Sequence, residues 1–354
     1  MTEKQERFAA IRSQFAGTNR GPYCDVAARG LMLSASRASL ERHLEDASEG
    51  TIDKSALFRQ VERTRALLAC LIGSTPETIA YTRNVTDGIA TFAASLDWRP
   101  GDSVVLCEEL EHPANIYPWY GVSRKFGIRV KNVPQSGGAI TISRILEAID
   151  PSCRVVAVSS VSFAPGFRFP VAELAAECRK RGVLLVVDAA QSIGVSEIDV
   201  ADWDVDALAM STQKGLMSLY GMGFLYVRPE LAETMKPIFL SRFGVSARRS
   251  RGEPGRSGRR ALCPRGPSIR RGQFQFSGSG HRGARNRASA RSRPAHGAGL
   301  RVRHCKLLCR PHARHRPAGL RRTACDAFEP HRHGRPSARL RSRCSPRHGN
   351  GEAL

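Results

Sequence analysis

The chain has 354 residues and a formal net charge of +23, but charge and length do not describe one object. From Ala247 onward 27 Arg and one Lys stand against four acids, a net of +24, which leaves 27 basic and 28 acidic residues before it, a net of −1. The first 246 residues therefore have the balance of an ordinary globular α/β protein. They carry no apolar leader and no run of membrane-spanning length, so the expectation is a cytoplasmic protein, neither secreted nor membrane-inserted.

In chain order, residues 3–15 read as a short charged helix inside an N-terminal arm spanning 1–22. A domain over 23–245 follows. Its five cysteines, Cys24, Cys70, Cys107, Cys153 and Cys178, are scattered through mostly apolar or helical contexts and read as reduced, structural thiols. Residues 57–72 predict a helix, with apolar side chains at 57, 58, 61, 68, 71 and 72 and Gly73 closing it. A strand over 78–82 then feeds, through Arg83-Asn-Val-Thr-Asp-Gly88, a helix over 86–96. A strand opening into a helix with small and hydroxyl residues in its first turn makes a phosphate cradle, because free amides and the positive end of the helix dipole face the anion. A plain Asn or Thr helix cap gives the same pattern.

Pro100-Gly-Asp turns into a strand over 103–107, which ends in the polar and aromatic stretch Glu108-Glu-Leu-Glu-His-Pro-Ala-Asn-Ile-Tyr-Pro-Trp119. A strand is predicted within 125–133, a helix over 141–149, and a strand over 154–160 running out into Ser159-Ser-Val-Ser-Phe-Ala-Pro-Gly-Phe-Arg168. Arg168 is read either as a carboxylate ligand or as a surface ion pair. The helix over 171–181, ended by Gly182, leads into the most informative stretch, Val183 to Tyr226. Here short apolar runs end abruptly in polar groups: Val-Leu-Leu-Val-Val before Asp188-Ala-Ala-Gln191, and Ala-Leu-Ala-Met before Ser211-Thr-Gln-Lys214. Buried parallel strands deliver side chains to a crevice at their carboxyl ends in this way, which would gather Asp188, Gln191 and Lys214 at one site on a mostly parallel sheet flanked by helices. Singly, Asp188 reads as a helix cap and Lys214 as a solvated loop lysine. In this order and spacing they read as a site.

These segments resemble the class V aminotransferase group of pyridoxal-phosphate (PLP) enzymes, which includes cysteine desulfurases, selenocysteine lyases and isopenicillin N epimerase-like proteins. The resemblance covers roughly residues 23–243 and implies a fold-type I large domain. Asp188 matches the Asp of the family's "VDAAQ" segment, which holds the pyridine nitrogen. Lys214 matches the Lys of "S-x-H/Q-K", which forms the Schiff base. His112, with Glu111, Asn115, Pro118 and Trp119, matches "EHHAN-x-x-PW", whose His stacks on the cofactor ring. Thr86, with the backbone of Val85 and Asp87, matches the phosphate-binding "T-T-E/D-G-I/L", and Ser211 and Gln213 match further phosphate contacts. Gln191 matches the residue bonded to the PLP 3′-oxygen, and Tyr23 to Gly30 resembles a "YLDNAA" segment near the substrate. The chemistry agrees: a lysine attacks an aldehyde only as the neutral amine, and PLP is an electron sink only while a neighbouring carboxylate keeps its ring nitrogen protonated. The resemblance implies an amino-acid substrate and a homodimer. Phe163 departs from the desulfurase "HVSN-x-x-G", in which Asn contacts the cofactor.

The stretch 246–354 does not continue the pattern. Arg, Gly, Pro, Ser and His dominate, and Phe274, Phe276 and Phe328 are its only aromatic residues. It cannot bury enough apolar surface to order itself and is expected to be disordered. A basic nucleic-acid binder lacks repeats and aromatic interleaving, and the His304 to His315 cluster lacks a zinc-finger spacing. A frameshift fits better: moved forward one base, the codons of Gln273 to Gly278 allow Asn-Phe-Asn-Phe-Leu, close to the family's "GNxNFxG". The family's small domain, with its carboxylate-binding Arg and the desulfurase Cys, is then missing or replaced. A catalytically inactive product is the competing reading.

Overall fold

The structure is a computed structural model and describes residues 2–238. The expectations for the Arg-rich tail, its disorder, frameshift, zinc cluster and nucleic-acid binding, lie outside the described residues.

Helices α1 (Glu3–Arg12), α2 (Ser34–Glu49) and α3 (Lys54–Leu71) precede strand β1 (Ile79–Thr82) and helix α4 (Val85–Ala94). Then come β2 (Ser103–Leu106), α5 (Tyr117–Phe126), β3 (Arg129–Asn132), α6 (Ile142–Glu147), β4 (Cys153–Ser159), α7 (Val171–Lys180) and β5 (Leu184–Asp188). The described part closes with α8 (Val200–Trp203), β6 (Ala207–Ser211), β7 (Gly223–Val227) and α9 (Pro229–Thr234).

The seven strands form one sheet in the order β1-β7-β6-β5-β4-β2-β3. All run parallel except β7, which is antiparallel to both neighbours. This is the mostly parallel, helix-flanked sheet expected from the repeated strand and helix order. Alternation along β4 and β5 sends Val155, Ala157, Leu184 and Val186 to one face and Val156, Val158, Leu185 and Val187 to the other, each face with its own apolar core. The first face is covered by α4 and α5 through Ile89, Phe92 and Trp119, the second by α3 and α7 through Leu68, Ile72 and Leu174. Both faces are dry, which is why the strands read as unbroken apolar runs.

Two elements differ from the sequence expectation. Residues 117–126 form α5 where a loop and the beginning of a strand were expected. Pro118 in the first turn and Gly127 in the left-handed region (φ 69°) delimit the helix, and Trp119 and Val122 bury its apolar side. The strand behind it shrinks to Arg129–Asn132. The last apolar run of the stretch Val183 to Tyr226, read like the others as a parallel strand, is β7 and runs the other way. Its first residue, Gly223, rather than its last, therefore lies beside Ser211 and Thr82 at the site. Of the cysteines, Cys107, Cys153 and Cys178 are buried and free and Cys24 is exposed and free. Among the described residues no helix is long and apolar enough to cross a membrane and no group of three or more His, Cys, Asp or Glu could hold a metal.

Candidate active site

The carboxyl ends of β1, β2, β4, β5 and β6 open on one edge of the sheet, and each contributes. At the end of β1, Asn84 caps α4: its side chain accepts from the amide of Asp87 at 2.8 Å, and its carbonyl accepts from Gly88 at 3.1 Å, the first intrahelical bond. The amides of Val85 and Thr86 precede that bond and have no helical carbonyl to reach. Thr86 is exposed. A Cβ on Gly223 would stand 2.7 Å from the Met210 carbonyl and 3.0 Å from the Asn84 backbone, so the start of β7 lies hard against this cap. Beside it Ser211 ends β6 fully buried, and its Oγ has no hydrogen-bond partner among the described residues. A buried hydroxyl next to two uncommitted amides at a helix N-terminus suits an anion such as a phosphate.

Lys214 follows in a loop held from three sides. The Thr212 hydroxyl donates to the carbonyls of Leu219 and Met222, both at 3.0 Å, and Met217 adopts φ 52°, a conformation few side chains take. Gly30 donates its amide to the Gln213 carbonyl at 2.8 Å, and a Cβ there would come within 2.2 Å of the Lys214 carbonyl. On the other side a Cβ on Gly215 would come within 2.3 Å of the Ile193 carbonyl, and one on Gly194 within 2.8 Å of the Gly215 carbonyl. Only glycines allow these backbones to meet, and their meeting fixes where Lys214 emerges. The Gln191 side chain donates to the Ala27 carbonyl at 3.2 Å, so the segment 27–30 lies across this turn too.

Asp188, at the end of β5, is 4% exposed and accepts the Ala190 amide at 2.8 Å. Burial pushes its carboxyl up to about 6, against the pull of that amide and of the Lys214 ammonium. His112 follows β2; its Nδ1 accepts the Ala114 amide at 3.1 Å, which leaves Nε2 to carry the ring proton in the neutral form. Burial, and secondarily the charge of Lys214, holds its pKa below the usual histidine value. Lys214 follows β6, Asp188 ends β5 and His112 follows β2, so the three side chains singled out in the sequence lie on the same edge of the sheet. Phe163 lies edge-on to His112, ring centroids 4.9 Å apart and planes at 78°, and is largely exposed. Arg168 does not join them: it borders a small cavity with Ser160, Ser192 and Trp203 on the α7 side of the sheet.

Sequence reasoning noted Glu111, Asn115 and Trp119 as agreeing with a motif but gave them no work. In the structure they form a buried network. The Asn115 side chain donates to Glu111 at 2.8 Å, the Trp119 indole to Asn115 at 3.3 Å, and the Ser159 amide and hydroxyl to Glu111 at 2.6 and 2.5 Å.

Lys214, Asp188 and His112 follow the ends of β6, β5 and β2 on one edge of a mostly parallel sheet, the fold type I arrangement of strands and flanking helices. The chain belongs to the Aminotransferase class-V family, whose model matches residues 28–248. It is 34% identical over 183 residues to a probable cysteine desulfurase of Methanothermobacter thermautotrophicus, a match covering 51% of this chain and 45% of that one. The crystal structure of the cysteine desulfurase CsdA from Escherichia coli aligns with a TM-score of 0.62 at 27% identity, covering 72% of this chain and 65% of the other. A C-DES mutant with glycine covalently linked to its PLP cofactor aligns with a TM-score of 0.63 at 24% identity, covering 73% and 68%. The chain spans about half the length of the curated relatives it matches.

Proposed function

We propose that the chain works on an amino acid at its Cα, with Lys214 as the amine that holds PLP and moves the Cα proton. Asp188 is the partner of the pyridine nitrogen and His112 the ring over the cofactor. The observation that carries this reading is the placement of Lys214, Asp188 and His112 at the ends of β6, β5 and β2 on one sheet edge, with the buried, unpartnered Ser211 hydroxyl on the same edge. When bound, PLP supplies an electron sink for the charge left at Cα. The residues of this chain do the rest. Asp188, as a carboxylate, keeps a neighbouring nitrogen protonated. The amides of Val85 and Thr86, the Ser211 hydroxyl and Gln213 take the phosphate, and Gln191 has an amide group for the 3′-oxygen. The lowered pKa of His112 keeps its ring neutral and so able to lie over an aromatic face.

Several relatives are cysteine desulfurases, so cysteine is the first substrate to test, followed by alanine and other amino acids. Full-length protein reconstituted with PLP should show the visible band of the bound cofactor and change it on adding substrate. Sulfide and alanine, pyruvate, a keto acid or the mirror-image amino acid would tell desulfuration, elimination, transamination and epimerisation apart. Folded protein that takes up no PLP ends the proposal.

A second reading has its own support. The family match stops at residue 248, where the Arg-rich composition begins. A frameshifted gene would yield a cofactor-binding half without a finished substrate pocket, coloured by PLP but inactive and without the family's homodimer. The nucleotide sequence around codon 245 decides: a family-like reading frame continuing in the shifted register supports this reading, and its absence removes it.

A further inference from the structure

Glu111 is 7% exposed and has no part in the chemistry above. It ends the turn after β2, one residue before His112, and its carboxyl takes three hydrogen bonds: the Ser159 amide on Oε1, and the Ser159 hydroxyl and the Asn115 amide group on Oε2. Ser159 is the register partner of Asp188 in the neighbouring strand, and alternation puts both side chains on the sheet face that Trp119 covers. A continuous path therefore runs from the indole of Trp119 through Asn115, Glu111 and Ser159 to the strand end bearing Asp188, with His112 on the same turn. A group serving only as a spacer would not need three donors on a carboxylate.

We propose that Glu111 is a positioning residue, acting on His112 and Asp188 through Asn115 and Ser159 and touching neither substrate nor cofactor. Its effect in the PLP-bound protein rests on the functional reading above; its effect on the apoprotein does not. The titratable groups facing it are Asp188 from β5, Cys107 at the end of β2 and, beyond Asp188, Lys214. Burial, together with the charge of Asp188, pushes the Glu111 carboxyl up to about 7, and burial raises the Cys107 thiol, with Glu109 and Glu111 adding to the effect. The charge of Asp188 acts on Glu111, so an ionised Asp188 makes Glu111 harder to ionise.

The test uses the full chain, as wild type, Glu111→Gln and the milder Ser159→Ala, which keeps the amide donor and removes the hydroxyl. Glutamine preserves volume but turns half the acceptor into a donor. In the apoprotein, the fall in thermal midpoint as pH rises from about 4 to about 7 should shrink to less than half in Glu111→Gln. With PLP, affinity should fall roughly ten-fold in Glu111→Gln, the worth of one charged buried hydrogen bond, and less in Ser159→Ala, while far-ultraviolet circular dichroism is unchanged. Variants that fold, bind PLP like wild type and keep its pH profile overturn the proposal and leave the cofactor reading intact. Wild type that takes up no PLP, but whose apoprotein pH profile responds to Glu111→Gln, supports the positioning role and removes the cofactor reading.

Discussion

Asp188 has one donor among the described residues, the Ala190 amide, for a carboxyl that is 4% exposed, where a buried carboxylate ordinarily needs several. Glu111 has three donors but lies deep beside another acid. Both are held above their ordinary values of 3.8 and 4.5, at about 6 and about 7. The folded protein keeps protons that the unfolded chain has released. The associated stability is full below the ordinary values and is lost as pH rises through the folded ones. The thermal midpoint of the apoprotein is expected to fall across that window, and PLP, whose pyridinium favours an ionised Asp188, should offset part of the fall. A midpoint flat or rising between about pH 4 and 7 would contradict the assignment of these two acids. At this scale the places of Asp188, His112 and Lys214 near strand ends were legible because each follows an apolar run and fits a family segment. The partnership of Glu111 with Ser159 was not: the residues are 48 apart in the chain, and nothing local says that β2 and β4 are neighbours.

The elements around the lysine are locked by backbone. Gly215→Ala would drive a methyl group into the Ile193 carbonyl, which belongs to a turn and cannot swing away as a side chain could. Expected are a lower thermal midpoint and a loss of PLP affinity of about ten-fold or more. Gly121, in α5, has nothing within 4 Å of a Cβ, so Gly121→Ala should raise stability by up to about 1 kcal/mol, measured by denaturant unfolding. Reversed signs for the two would mean that the packing is not as described. Helices α3, α4 and α7 could be read from apolar spacing, although α3 begins three residues before its expected start and α4 ends two before its expected end. Helix α2 has no fully buried residue, so it offered no apolar stripe to read, and α5 was hidden behind a proline that favours the first helical turn as much as a break. The direction of β7 was illegible, because an apolar run bounded by glycines does not state which way it crosses the sheet.

For the whole molecule, the edge opposite the crevice carries a separate anchor. Asp206, 1% exposed at the start of β6, accepts the Leu185 amide at 2.8 Å and pairs with Arg179 and Arg228. Asp206→Ala strands that amide and takes the buried carboxylate from two arginines, which keep only Asp204 among these pairs. The expected loss is about 2 kcal/mol or more, below the 3–5 of a fully buried pair because both arginines are partly exposed. PLP affinity should stay as in wild type, since the anchor lies at the strand starts; an equal loss of affinity would mean that the two ends are coupled. The fold of the described residues was legible from the order of strands and helices. The most direct measurement is borohydride reduction of the full chain reconstituted with PLP, followed by peptide mass analysis. The pyridoxyl mass is expected on Lys214 and should disappear in Lys214→Ala, whereas labelling spread over other lysines, or none in folded protein, would contradict the site.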